Sequence, residues 1–390
     1  MKPMERIYLD NAATSWPKPE SVYAAVDNAQ RVIGSPAGRG SSEQVVQAMR
    51  LVEQTRGLVA ELVSAPDRRN ISFTFNGTDS LSTAILGLLK KGDHVVTSVV
   101  EHNSVLRPLK HLESQSVIET TYVDCDQTGT FSEDDVIAAI GPETRLVCLI
   151  HASNVTGSVQ SIKNIKRRIV EAGNEKTLFL LDAAQSLGHL PIDVGEIGCD
   201  ILAAPGHKGI LGPLGTGVLY VADHVADQIH PLRFGGTGSS RSTEIQPTQV
   251  PEKFESGNLN VPGIAGLNAG LKFLNSDDGK SAHENQQQLW QLLLDGVESI
   301  EGVQLQGHCS TQNRIGVFSL SIGGFDCHEA AGIFESSASI QTRAGFHCAP
   351  LLHRALGTEA DGGTVRISPG LFNTVADIEA VLRVIGEVAS

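Results

Sequence analysis

Lys208 lies in the stretch Leu202-Ala203-Ala204-Pro205-Gly206-His207-Lys208-Gly209, behind a buried-looking run and ahead of the uncharged, glycine-rich segment 210–217. Few carboxylates stand nearby in sequence to pair with its ammonium. Burial lowers the pKa of an amine, and a neutral lysine attacks carbonyl carbon, the route to a Schiff base. The chain has 30 Lys and Arg residues, and the ordinary lysine lays its stem on apolar surface and its head in water. Asp182 sets this one apart. It ends another apolar run, and Gln185 follows three residues later. A carboxylate there can face a cationic ring nitrogen while the amide meets a neighbouring ring oxygen. Pyridoxal phosphate requires such a set: a lysine, an acid that keeps the ring protonated as an electron sink, and a cup for the phosphate. Taken alone, Asp182 reads equally well as a turn or cap residue.

Gly77-Thr78, at a strand-to-helix turn, offers backbone N–H groups, a hydroxyl and a helix N-terminus to an anion, although Thr and Ser cap many helices. Nucleotide loops are excluded. Gly279-Lys280-Ser281 has Leu274 where a Walker A loop needs glycine, and no G-x-G-x-x-G follows a strand. His102 can stack on a ring, or be an ordinary loop histidine. Arg343 suits bidentate capture of a carboxylate. Five residues on, in a loop punctuated by Gly and Pro, Cys348 follows His347 and is a candidate thiolate nucleophile. The alternative for Cys348 is an inert buried thiol.

These residues need a scaffold that gathers them. Short apolar runs at 71–75, 94–99, 146–150, 178–181 and 201–204 alternate with helical segments near 79–90, 103–115, 133–140 and 161–172. Strands apolar on both faces and separated by helices specify a largely parallel α/β sheet, with ligands at the carboxyl ends of its strands. One rim is therefore expected to collect Lys208, Asp182, His102, His151, His207 and several amides. Apolar periodicity predicts a helix from about 42 to 63 and another from 282 to 300. Strands near 303–306, 315–321 and 364–368 and a last helix at 375–388 predict a smaller α+β unit. The expected division is a large α/β domain at 21–261, with 1–20 and 262–390 forming the small domain.

The 390 residues carry a net charge of -14, with 41% hydrophobic and 19% charged residues. That balance is of an ordinary globular protein, and the acidity excludes a nucleic-acid or anionic-membrane surface. No run approaches a membrane span and no secretion leader is recognisable. The six cysteines are scattered without metal-ligand spacing, so reduced thiols in the cytoplasm and no metal are expected.

The blocks Tyr8-Leu9-Asp10-Asn11-Ala12-Ala13, Glu101-His102-Asn103, His151-Ala152-Ser153-Asn154, Asp182-Ala183-Ala184-Gln185, Gly206-His207-Lys208, Phe254-Glu255-Ser256-Gly257 and Arg343 to Ala349 together resemble the class V aminotransferase group of fold-type I pyridoxal-phosphate enzymes. Within that group the likeness is to cysteine desulfurases of the type II, SUF-like branch, which also contains selenocysteine lyases. The resemblance implies a large domain with a mostly parallel, seven-stranded sheet and a small C-terminal α+β domain. It implies that Lys208 holds pyridoxal 5′-phosphate, with Asp182 at the pyridine nitrogen, Gln185 and Asn154 at the ring hydroxyl and His102 over the ring. Gly77, Thr78 and His207 would hold the phosphate, joined across a homodimer interface by Thr237 and Gly238. Arg343, with Asn154 and Asn11, would receive L-cysteine or selenocysteine, Cys348 would take its sulfur, and a sulfur-acceptor protein serving iron–sulfur cluster assembly is an implied partner. Two positions depart from the pattern. Pro205 stands where many relatives carry a hydroxyl, and Asn258 where threonine usually follows the Glu-x-Gly motif. A C–S β-lyase releasing pyruvate, a selenocysteine lyase and a catalytically silent scaffold are alternatives on the same fold, separated by product and by the absorbance of bound cofactor.

Overall fold

The computed structural model describes residues 6–38, 40–237 and 244–390. The chain opens with β1 (Ile7–Tyr8) and builds its large sheet from β2 (Ile71–Thr74), β3 (Asp93–Ser98), β4 (Ile118–Val123), β5 (Thr144–Ile150), β6 (Leu178–Asp182), β7 (Ile201–Pro205) and β8 (Gly217–Val221). The strands lie in the order β2-β8-β7-β6-β5-β3-β4. β4, β3, β5, β6 and β7 run parallel, while β8 is antiparallel to both neighbours, with Ala203 opposite Leu219 and Phe73 opposite Val218.

Why the central strands read as unbroken apolar runs is plain from β5. Leu146 and Cys148 enter one buried cluster with Leu178, Leu180, Ile201 and Leu219. Val147 and Leu149 point the other way, joining Phe179, Leu181, Leu202 and Val218. Successive side chains alternate between faces, and here both faces are covered. Each fully buried leucine contributes about 1.5–3 kcal/mol over an exposed one.

Two strands escape the apolar-run reading. β4 is an edge strand whose middle residues are exposed or half-buried. β8 is wholly buried, but it starts on Gly217 inside the glycine-rich stretch after Lys208 and passes for loop. The expected early helix spans Glu43–Leu62. Residues 261–298 form two helices, Val261–Asn275 and Asp277–Glu298. The first buries Ile264, Leu267 and Leu271 in the large-sheet cluster.

Beyond residue 300 come β9 (Val303–Gln306), β10 (Phe318–Ile322), β11 (Ile340–Gln341), β12 (Arg343–Gly345) and β13 (Thr364–Ile367). β12-β13-β10-β9 form an antiparallel sheet, while β11 pairs parallel with β1. Leu293, Phe318, Phe334, Val381 and Ile385 fill the core beside it. The N-terminal strand thereby ties the first residues to the last third of the chain, beside the carboxyl ends of β6 and β7.

Candidate active site

A cleft of about 280 Å³ opens where the strands of the large sheet end. Lys208 follows β7 and lines it with Asp182, the last residue of β6. Surrounding protein pushes the Lys208 amine down from 10.5 to about 8, helped by the positive field of Arg366 and opposed by Asp182. Asp182 is 1% exposed. Its Oδ1 accepts from the Ala184 N–H at 2.8 Å, while its buried Oδ2 has no partner. Burial raises its carboxyl to about 6, against the pull of the Ala184 hydrogen bond and of Lys208.

The peptide that carries Lys208 is clamped by the first residues of the chain. The His207 carbonyl accepts from the Ser15 N–H and the Thr14 hydroxyl at 3.1 Å each, and from Lys18 Nζ at 2.9 Å. Gln185 donates to the Ala12 carbonyl at 3.0 Å. Asn154 donates to the His347 carbonyl at 2.6 Å and keeps a buried Oδ1 without a partner.

His102 caps the helix Asn103–Ser114, its Nδ1 accepting from the Ser104 N–H at 3.0 Å. Burial, then the charges of Lys208 and Arg343, press it down to about 3, so the ring is neutral. Across the cleft, Gly77 and Thr78 begin the helix Gly77–Leu88. Asn76 Oδ1 takes the Asp79 N–H at 2.9 Å, which leaves the first-turn N–H groups for an anion. A Cβ on Gly77 would lie 3.0 Å from Pro205 Cδ, so this close approach favours glycine. His207 lies beside them with a buried, unpartnered Nδ1, and burial lowers it to about 4.

Arg343, on β12, forms the opposite wall, and its guanidinium donates to Cys348 Sγ at 3.4 Å. Cys348 is half-buried beside the cleft rather than in its lining. His347 and Cys348 have φ of +47° and +61°, the left-handed region that costs side-chain-bearing residues of order 1–3 kcal/mol each. The Asn103 N–H holds the Cys348 carbonyl at 2.7 Å. The His347 ring turns away to Thr364, 3.0 Å from both its carbonyl and its hydroxyl, so the charged neighbour of the sulfur is Arg343.

Other expected residues fall elsewhere. Asn11 lines an adjoining cavity of about 30 Å³. Its amide is engaged with Ser368 O at 3.0 Å and with the Trp16 N–H at 3.0 Å. Thr237 does not line the cleft, and Gly238 lies outside the described residues. His151 follows Ile150, which lines the cleft, so strand alternation sends it into a separate groove with Ile162 and Pro191.

Polar lining residues beyond those expected include Arg366 and Ser104. Arg366, 1% exposed on β13, lines the cleft, with Asp10 at 2.6 Å and the Asn154 carbonyl at 3.1 Å. Its signal was a lone arginine inside an apolar strand, which is rarely buried unless paired. Ser104 lines the cleft beside His102. Glu101, fully buried, accepts from Ser98 Oγ at 2.7 Å and the Ile150 N–H at 3.0 Å, bridging the ends of β3 and β5.

The lining side chains thus offer an unpaired carboxylate oxygen, an unpaired amide oxygen, an unpaired imidazole nitrogen, a helix N-terminus and a neutralisable lysine. That donor and acceptor set fits a pyridine ring bearing a hydroxyl, a carbonyl and a phosphate. The family description "Aminotransferase class-V" matches residues 7–381.

The chain belongs to the class V aminotransferase family.

Its cofactor is pyridoxal 5′-phosphate, and the fold is that of fold-type I enzymes. A probable cysteine desulfurase of Methanothermobacter thermautotrophicus is 34% identical to this class V chain, over 99% of it and 95% of the relative. One from Pyrococcus abyssi is 32% identical over 98% and 94%. Among solved structures, the apo cysteine desulfurase of Thermococcus onnurineus NA1 superposes with a TM-score of 0.90 at 31% identity, covering 98% of this chain and 94% of that one. The S-sulfonic acid form of the Escherichia coli cysteine desulfurase CsdA gives 0.86 at 27%, with coverage of 98% and 94%.

Proposed function

We propose that this class V enzyme is a cysteine desulfurase of the type II branch, which takes the sulfur of L-cysteine, releases L-alanine and holds the sulfur as a persulfide on Cys348. The observation that carries this reading is the Arg343 guanidinium against Cys348 Sγ at 3.4 Å, beside a cleft floored by Lys208 and Asp182. Aminotransfer needs no thiol there.

In this reading Lys208 would hold the cofactor, the unpartnered Asp182 Oδ2 would serve its ring nitrogen, Gln185 and Asn154 its ring hydroxyl, and His102 would pack against the ring. The turn at Gly77 and Thr78, with His207, would receive the phosphate, and Thr237 would reach toward the partner subunit's site. When bound, pyridoxal 5′-phosphate delocalises the electron pair left at a substrate carbon. Arg343 and Arg366 orient the substrate carboxylate. The Lys208 amine, whose proton its surroundings make easier to lose, takes the proton from the substrate Cα once it is neutral. Cys348 attacks the substrate sulfur; the Cβ–S bond breaks, its electron pair stays with carbon, and protonation of Cβ together with return of a proton to Cα gives alanine.

Exposed Phe75, Leu214 and Phe234, at 58%, 69% and 73%, support a homodimer whose interface covers them. Among the described residues no helix is long and apolar enough to cross a membrane. The proposal includes a cytoplasmic site of action, a sulfur-acceptor protein as partner, and the division into 21–261 against 1–20 with 262–390. The direct test is mass spectrometry of the Cys348 peptide after L-cysteine is added without reductant. One added sulfur atom at Cys348 is the expected result; an unmodified Cys348 beside turned-over substrate would refute it.

A further inference from the structure

Ser104 belongs to a hydrogen-bond chain that the reading above leaves unused. Its hydroxyl is 2.7 Å from Thr78 Oγ1 and 2.9 Å from His102 Nδ1. The two helix N-termini flanking the cleft are thereby joined, Thr78 from the helix Gly77–Leu88 and Ser104 from the helix Asn103–Ser114.

The directions of these bonds are constrained. The Ser104 backbone N–H donates to His102 Nδ1 at 3.0 Å, so Nδ1 is an acceptor and the ring proton sits on Nε2. His102 is pressed far below the neutral range by its buried surroundings and does not gain a second proton to reverse this. His102 Nδ1 therefore cannot donate to the Ser104 hydroxyl. With the 2.7 Å Thr78–Ser104 contact kept as a hydrogen bond, two arrangements remain. Either Thr78 donates to Ser104 and Ser104 to His102, or Ser104 donates to Thr78 and the Thr78 proton is free to point elsewhere. An anion in the cup needs a donor from Thr78, and opposite it Pro205, which also lines the cleft, has no side-chain donor. Only the second arrangement serves an anion.

We propose that Ser104 is a positioning residue that couples the phosphate cup to His102: filling the cup turns the Thr78 hydroxyl proton to the anion and the Ser104 proton from His102 Nδ1 to Thr78. The inference rests on the cofactor site described above and is indifferent to which reaction follows. His102 keeps its backbone N–H bond throughout, so it stays the Nε2–H tautomer but loses one hydrogen bond at Nδ1.

The test compares wild type with Ser104→Ala and Ser104→Thr, all freed of cofactor. Each is titrated with pyridoxal 5′-phosphate and with pyridoxal, and the His102 ring nitrogens are followed by 15N NMR as inorganic phosphate is added, with His102→Gln assigning the signal. Ser104→Ala is expected to weaken pyridoxal 5′-phosphate up to about tenfold, through loss of the Ser104–Thr78 hydrogen bond that keeps the Thr78 proton on the anion, and to leave pyridoxal unchanged. Inorganic phosphate is expected to move the Nδ1 signal in wild type and Ser104→Thr but not in Ser104→Ala. Equal weakening of both aldehydes in Ser104→Ala would mark a merely structural serine and overturn the proposal. A wild-type Nδ1 signal that ignores phosphate would overturn it as well. The cysteine product distribution is a separate readout, so a failed desulfurase reading leaves these outcomes intact.

Discussion

Lys208→Met should make the cofactor-free protein more stable. The amine is pushed from 10.5 to about 8 by the protein around it. Each pKa unit corresponds to about 1.4 kcal/mol, so holding the lysine charged in the folded state costs about 3 kcal/mol. The sign follows from the lowered folded-state pKa. The unfolded chain binds this proton more tightly, so the cost is complete below pH 8, shrinks as pH rises and is gone above about 10.5. Methionine has a similar length and no charge, so it removes the cost without opening a large cavity. Urea denaturation of the cofactor-free proteins is expected to give a gap of about 3 kcal/mol in favour of Lys208→Met at pH 7, narrowing steadily above pH 8 and closing above about pH 10.5. An equal or lower stability of the variant at pH 7, or a gap that ignores pH, would show that Lys208 is not held at a stability cost.

Asp182→Asn acts in the opposite pH sense. A carboxyl raised from 3.8 to about 6 costs stability as pH rises through that window, so the cofactor-free variant should gain about 3 kcal/mol above pH 6 and nothing below pH 4 by the same conversion. Its affinity for pyridoxal 5′-phosphate should fall in a fluorescence titration. Glu255→Gln breaks the buried pair in which Arg56 reaches both carboxylate oxygens at 2.7 and 3.0 Å. A loss of about 3–5 kcal/mol in urea denaturation is expected. Arg343→Ala should raise KM for L-cysteine at least about tenfold through a lost charge-assisted contact, measured by initial rates of alanine release.

Apolar runs and their polar ends made the parallel sheet and its polar rim legible. Lys208, Asp182, Gln185, His102, Gly77, Thr78, Asn154, His207 and Arg343 line one cleft. What sequence did not disclose depends on side-chain direction and on pairing between distant segments. His151 follows Ile150 and, by strand alternation, faces away. β8 was hidden because its glycine start looks like a turn, although its neighbours on both sides give it a full ladder. Arg366 read as part of a strand, since the Asp10 that pairs with it lies 356 positions away. Ser104 read as an ordinary helix residue; its partner Thr78 belongs to another helix 26 positions earlier.

The most direct test of the desulfurase reading incubates the cofactor-loaded enzyme with L-cysteine and a reductant, then quantifies sulfide, alanine and pyruvate for wild type and Cys348→Ala. Sulfide matched mole for mole by alanine, and lost in Cys348→Ala, is the predicted result. Sulfide matched by pyruvate and unaffected by Cys348→Ala would contradict it, making the enzyme a C–S lyase in which that cysteine takes no part.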